Sequence, residues 1–175
     1  VEISPVLEAQ QERTLEHLSI PMFWHPALVD VPKGPAIIVA NEFFDALPVN
    51  QAVKTGGIWH ERQIDIDRNG NLAFTVARDP IAHFEALLPP TLREAPEHSI
   101  FEWRAETTAF DMGRRIADDG GAALVIDYGH AESAVGETLQ AVGQHAYIDP
   151  LTAPGNIDLT AHVDFQALAR AVEAM

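Results

Sequence analysis

The sequence predicts an α/β fold, with a parallel core and an added antiparallel hairpin section. Three observations predict it. Two short apolar runs, 36–40 and 122–126, are rich in Ile, Val and Ala and read as buried strands. Each lies next to a helical pattern long enough to pack across a sheet. Between them, residues 49–80 alternate in character and are broken by Gly-Gly and Asn-Gly, the punctuation of antiparallel hairpins.

Val1-Glu2-Ile3 opens the chain and reads as a strand. Ser4 and Pro5 then supply an N-cap and a first helical residue. That helix is expected to run to about residue 18, with Leu7, Leu15 and Leu18 inward. Residues 22–24 suggest a short strand, and Lys33-Gly34-Pro35 a loop. The strand at 36–40 stops abruptly at Asn41-Glu42-Phe43-Phe44-Asp45, and Pro48 closes the run. Strands are expected at 49–54, 58–66 and 72–77, turned at Gly56-Gly57 and at Asn69-Gly70. A short helix is expected near 82–88 and a short strand at 100–103. Ala105, Ala109, Met112 and Ile116 then recur on one helical stripe, which Asp119-Gly120-Gly121 ends. The second buried strand, 122–126, ends at Asp127, and 137–142 reads as a further strand. Asp164 caps a last helix with Phe165, Leu168, Ala169 and Val172 on one face.

Bulk properties narrow the function. The 175 residues suit a single domain. There is no cysteine, which excludes disulfides and thiolate zinc sites and fits a reducing compartment such as bacterial cytoplasm or mitochondrial matrix. A net charge of −15 argues against a nucleic-acid partner, because phosphate binding needs clustered Lys and Arg. The same charge suits a cationic protein segment. No apolar run approaches the ~18 residues that span a bilayer. A metal site built from His130, His145, His162 and Asp127 has no recognised ligand spacing and is set aside.

Open α/β sheets bind ligands beyond the carboxyl ends of their strands. Asn41, Glu42 and Asp45 follow one such end, and Asp127 follows the other. An acid beside a buried strand end is costly without a partner, so Glu42 reads as functional. Asn41 reads equally well as a turn cap or a site residue. Gly129 suggests a turn with positive φ. His130 has an unperturbed pKa near ~6.5 and is a candidate proton acceptor, and His162 is a candidate for the cleft.

Three ordered stretches carry a resemblance. They are Asn41 to Val49 (Asn-Glu-Phe-Phe-Asp-Ala-Leu-Pro-Val), Leu124 to His130 (Leu-Val-Ile-Asp-Tyr-Gly-His), and Tyr147 to Gly155 continuing through Asp158 to Phe165. Together they resemble the MidA-like methyltransferases, relatives of the arginine methyltransferase that assists assembly of mitochondrial complex I. The resemblance implies a class I, Rossmann-like sheet and S-adenosylmethionine as methyl donor. It implies a protein substrate, with a complex I subunit as one candidate. Glu2 alone reads as an ordinary exposed acid, whereas the resemblance makes it the ribose-binding acid at a strand end. Family members carry a Gly-rich turn before that strand. These residues lack it, so they are expected to form the central and C-terminal part of a larger domain.

Methyl transfer to arginine would then use the acids. Carboxylates bind a guanidinium fork bidentately and fix one nitrogen toward the methyl group. Glu42 and Asp45, three apart, would share a face of a helical turn and form the clamp. Asp127 would be a second acceptor, Asn41 would position the donor or the substrate, and Phe43 and Phe44 would wall the site or stack on the guanidinium. Two other readings stay open. One is an amide or amino N-methyltransferase, in whose motif Pro would be expected where Glu42 stands. The other is a non-enzymatic assembly factor on the same fold.

Overall fold

The structure, a computed structural model, describes residues 1–143 and 146–174. In chain order its elements are α1 (Pro5–Leu15), β1 (Ala36–Asn41), β2 (Asn50–Thr55), β3 (Ile58–Ile66), β4 (Leu72–Pro80), α2 (Phe84–Leu87), β5 (Ile100–Trp103), α3 (Thr107–Asp119), β6 (Gly121–Ile126), β7 (Gly129–His130), β8 (Gln140–Gly143), β9 (Ala146–Ile148), β10 (Asp158–Thr160), β11 (Val163–Asp164) and α4 (Phe165–Glu173). Short 3-10 turns lie at Leu28–Asp30 and Pro90–Leu92.

The two apolar runs pair with each other. β1 and β6 are parallel, from Ala36 opposite Gly121 to Asn41 opposite Ile126. Their carboxyl ends therefore share one edge, and α3 makes the crossover between sheets. The pairing starts at a close approach. A Cβ on Gly121, at φ +122, would lie 1.9 Å from the carbonyl oxygen of Ala36. No side chain fits there. Gly120, at φ 84, ends α3 by donating its N–H to Ile116 O at 2.9 Å.

One face of this pair is packed and the other is not. Ile38, Ala40 and Val125 join a core built on Phe44, Ala109, Met112, Val163 and Ala171. Helices α3 and α4 supply that core because their apolar residues recur on single stripes. The opposite face carries Ile37 at 86% exposure, Val39 at 62%, and exposed Leu124 and Ile126. The expectation of strands buried on both faces is thus corrected. β-Branched composition reports strand, but burial needs a second layer, and no described element covers that face.

The hairpin section is a four-stranded antiparallel sheet in the order β4-β3-β2-β5. Its turn at Asn69-Gly70 forms as expected, with Asp67 Oδ1 accepting from Asn69 N and Asn71 N at 2.8 Å each. β5 joins this sheet, so the section extends beyond residue 80. A second core, with Trp59, Phe84, Leu88 and Phe101, lies beneath it. The remaining strands form a small antiparallel sheet, β10-β8-β9, and the parallel pair β11-β7.

The first 25 residues depart furthest from expectation. Residues 1–3 and 22–24 form no strand. One backbone bond, Glu2 N to His25 O at 3.0 Å, links the two segments, but one bond is not a ladder. α1 forms with Ser4 as N-cap and Pro5 at its start, but it stops at Leu15. Leu7 and Leu18 are exposed, so the inward stripe is not seen. Ala105 lies before α3 rather than on it, and the helix near 82–88 is one turn.

Candidate functional site

The site grows from the shared edge of β1 and β6. Beyond Asn41 the ladder continues for one bond, Glu42 N to Ile126 O at 2.8 Å. The chain then turns sharply, and Glu42 takes φ 45, in the left-handed region. An L-residue there costs about 1–2 kcal/mol. Strain of this kind persists only where surrounding contacts hold it.

Asp127 supplies those contacts. Its Oδ2 accepts from Phe43 N, Phe44 N and Asp45 N at 3.2, 2.9 and 3.2 Å. Its Oδ1 accepts from Tyr128 N at 2.8 Å. Successive N–H groups around one carboxylate form an anion nest. The structure thus uses Asp127 to fold the 42–45 turn. That engages the carboxylate which sequence reasoning offered to substrate.

Glu42 and Asp45 do not share a face. The turn is not helical, and the positive φ at Glu42 breaks the three-residue spacing. Glu42 is exposed, whereas Asp45 is 6% exposed and its Oδ1 has no hydrogen-bond partner. The expected clamp is therefore corrected. Burial first, then the neighbouring charge of Asp127, push the Asp45 carboxyl above its ordinary pKa, and Glu42 and Asp158 add to this.

Tyr128 is the partner that Glu42 does have. Its hydroxyl donates to Glu42 Oε1 at 3.2 Å. That bond and the charge of Glu42 raise the phenol pKa, so the proton stays on the oxygen.

Arg104 braces the turn from behind. Its Nε donates to Leu47 O at 3.2 Å, Nη1 to His162 O at 2.8 Å, and Nη2 to Asp45 O at 3.1 Å and Ala161 O at 2.6 Å. One guanidinium fork thus ties 45–47 to 161–162. Burial lowers its pKa, which nearby Glu102, Asp127 and Asp45 oppose, and the group stays charged throughout. Sequence reasoning missed Arg104 because an arginine after a short strand carries no motif. Tyr128 was within reach, since it sits inside a quoted stretch.

The other candidates divide. Asn41 is exposed at the end of β1. Phe43 and Phe44 meet edge to face, with centroids 5.3 Å apart. Phe44 is 3% exposed and packs in the helix-facing core, so it is not free to stack on a guanidinium. Phe43 is half-buried against the same core. His130 lies on β7 with Nε2 4.0 Å from Asp164 Oδ2, while Asp164 Oδ1 caps α4 through Ala167 N at 2.9 Å. His162 is exposed and donates its N–H to Thr138 Oγ1 at 2.8 Å. His130, His162 and Phe44 line a cavity of about 450 Å³ whose wall includes Trp103 and Arg104. Glu42, Asp45 and Asp127 do not line it. His145 lies outside the described residues.

Gly129 also corrects an expectation. Its φ is not positive. The constraint is contact instead, because a Cβ there would lie 2.0 Å from the carbonyl oxygen of Val163 on the paired strand.

Glu2 belongs to the 1–25 segment, where its partners are local. Its Oε1 accepts from Ser4 N and its Oε2 from Gln11 Nε2, each at 2.9 Å. Gln11 Oε1 in turn accepts from Trp24 Nε1 at 2.7 Å. The Ser4 N–H is the main reason its pKa lies below the ordinary carboxylate value. The result is an ionised carboxylate in a fixed orientation, with lone pairs left on both oxygens.

A family model described as "Putative S-adenosyl-L-methionine-dependent methyltransferase" matches residues 1–175. The chain belongs to this methyltransferase family. Among curated relatives it is 42% identical over 154 residues to the protein arginine methyltransferase NDUFAF7, mitochondrial, of Rattus norvegicus. That match covers 86% of this chain and 34% of the relative. It is 31% identical over 172 residues to the NDUFAF7 homolog of Caenorhabditis elegans, covering 97% of this chain and 39% of that protein. The chain therefore spans under two fifths of these relatives. A crystal structure from Burkholderia thailandensis, bound to S-adenosyl-homocysteine, superposes with a TM-score of 0.79 at 29% identity. That superposition covers 98% of this chain and 46% of the other. The mixed α/β architecture is thus that of a methyltransferase. No helix among the described residues is long and apolar enough to cross a membrane.

Proposed function

We propose that this chain forms part of an S-adenosylmethionine-dependent protein methyltransferase acting on an arginine nitrogen of a partner protein, with a respiratory complex I subunit as the leading candidate. In this reading, 1–175 is the central and C-terminal part of a larger class I, Rossmann-like domain. One observation carries the proposal. Glu42 offers an exposed carboxylate, held in a strained turn, at the shared carboxyl edge of two parallel strands.

Bound S-adenosylmethionine supplies an electrophilic methyl group. The residues of this chain suit its recognition at two points. Glu2 is an oriented, ionised acceptor for ribose hydroxyls. Asn41 ends β1 with an exposed amide. Glu42 accepts hydrogen bonds from the substrate guanidinium, which fixes one nitrogen for in-line attack, and takes the proton that the methylated nitrogen sheds. Asp127, with Arg104 behind it, keeps the turn from relaxing. Asp45 acts through the same turn and not as a second jaw. The acidic chain favours approach of a cationic segment.

The test is transfer of labelled methyl by the full-length protein to partner proteins, followed by mass spectrometry of the modified residue. Methylarginine is expected. Methylated glutamine or asparagine would favour the amide reading. Absence of both cofactor binding and transfer would favour a binding module.

A further inference from the structure

The strand end of β6 reaches the strand end of β1 twice. Asp127 holds the backbone of the 42–45 turn through three N–H groups. Tyr128, the next residue, holds a side chain, with its hydroxyl 3.2 Å from Glu42 Oε1. The Tyr128 backbone is itself anchored, because its N–H donates to Asp127 Oδ1 at 2.8 Å. One carboxylate thus sets both the loop that displays Glu42 and the residue that grips it.

Packing does not account for this tyrosine. Tyr128 is 60% exposed and belongs to neither apolar core. A tyrosine kept for burial would bury its ring. Here the ring stands in solvent and the hydroxyl finds the carboxylate at the edge.

We propose that Tyr128 is a positioning residue for methyl transfer, which fixes the Glu42 carboxylate by bonding Oε1 and leaving Oε2 to the substrate guanidinium. This rests on the reading of Glu42 given above. A long, exposed glutamate samples several rotamers. A hydroxyl donor on one oxygen selects among them before substrate arrives, which is preorganisation. The other groups beside this pair, Asp45 and Asp127, are acids and make no hydrogen bond to the Glu42 carboxylate, Asp127 being engaged by backbone N–H groups. Asp158 lies behind Asp45, and Arg104 is spent on four backbone carbonyls. Tyr128 is thus the neutral donor that offsets a crowded acidic edge.

The experiment compares Tyr128→Phe and Glu42→Gln in the full-length protein, with kcat and KM of peptide methylation and the Tm measured for each. Phe keeps the ring and removes only the hydroxyl. The expected result is a kcat reduced about three- to tenfold, from loss of one partly exposed hydrogen bond to a charged group. KM for S-adenosylmethionine and the Tm should hold steady, so that the loss falls on kcat alone. An unchanged kcat, with Glu42→Gln inactive, would overturn the role of Tyr128 alone. Full activity of Glu42→Gln would overturn the underlying reading. A purely structural tyrosine would lower Tm and leave kcat per folded molecule in place, which also contradicts the proposal.

Discussion

Replacing Asp45 by Asn is expected to stabilise the protein. Asp45 is buried, its Oδ1 lacks a partner, and Asp127 lies beside it. Burial of an ionised, unpaired oxygen costs about 1–3 kcal/mol. Asn removes the charge but keeps a carbonyl for the Ala46 N–H, which favours the present carboxylate. The gain at pH 7 should be about 1–2 kcal/mol, a rise in Tm of about 2–6 °C. The sign follows from proton linkage. The folded pKa lies above the ordinary value of 3.8, so the folded state binds the extra proton. Stability of the native protein therefore falls as pH rises from the unfolded pKa through the folded one. The advantage of Asn should be full above that window and absent below it. Thermal unfolding of both full-length proteins between about pH 3.5 and 8 measures this. A lower Tm for Asp45→Asn at pH 7, or a gain that persists undiminished in acid, would refute the reasoning.

Other outcomes follow from the same geometry. Asp127→Ala strands four backbone N–H groups, three of the 42–45 turn and that of Tyr128, and should cost about 2–3 kcal/mol, read by denaturant unfolding. Glu42→Gly should leave Tm level or slightly raised, since glycine accepts φ 45 without strain, while methyl transfer is lost. A fall of several degrees would mean that the Glu42 side chain holds the turn. Arg104→Lys should destabilise by about 1–3 kcal/mol, because an ammonium cannot reproduce the fork to four carbonyls. Equal stability would show those bonds to be replaceable by water.

Local signals in the sequence carried most of the elements. Alternation with Gly-Gly and Asn-Gly placed β2, β3 and β4, and Asp164 capped α4 as its position implied. The parallel core was expected from two apolar runs set near helical patterns, and β1 and β6 do pair in parallel, although only β6 directly follows a helix, α3. Burial was not legible in the same way. Ile37 and Val39 have the composition of core residues, but exposure depends on what packs above them, which is a non-local fact. The site was half legible. Glu42, Asp45 and Asp127 do gather at one edge, but their division of labour depended on a single dihedral. The positive φ of Glu42 turns Asp45 inward and hands the turn's amides to Asp127. Nothing in Asn-Glu-Phe-Phe-Asp announces that dihedral, because glutamate is not a residue that favours it. Arg104 was invisible for a related reason. Its partners are carbonyls up to 59 residues away, and carbonyls leave no mark in a sequence.

The sharpest single measurement is methyl transfer by full-length Glu42→Gln, with S-adenosylmethionine affinity measured calorimetrically on the same preparation. An intact methyl-donor affinity with transfer abolished is the result expected of a carboxylate that grips the acceptor at this strand edge. Transfer at the native rate would contradict it and leave the exposed acid that follows β1 without a part in the chemistry.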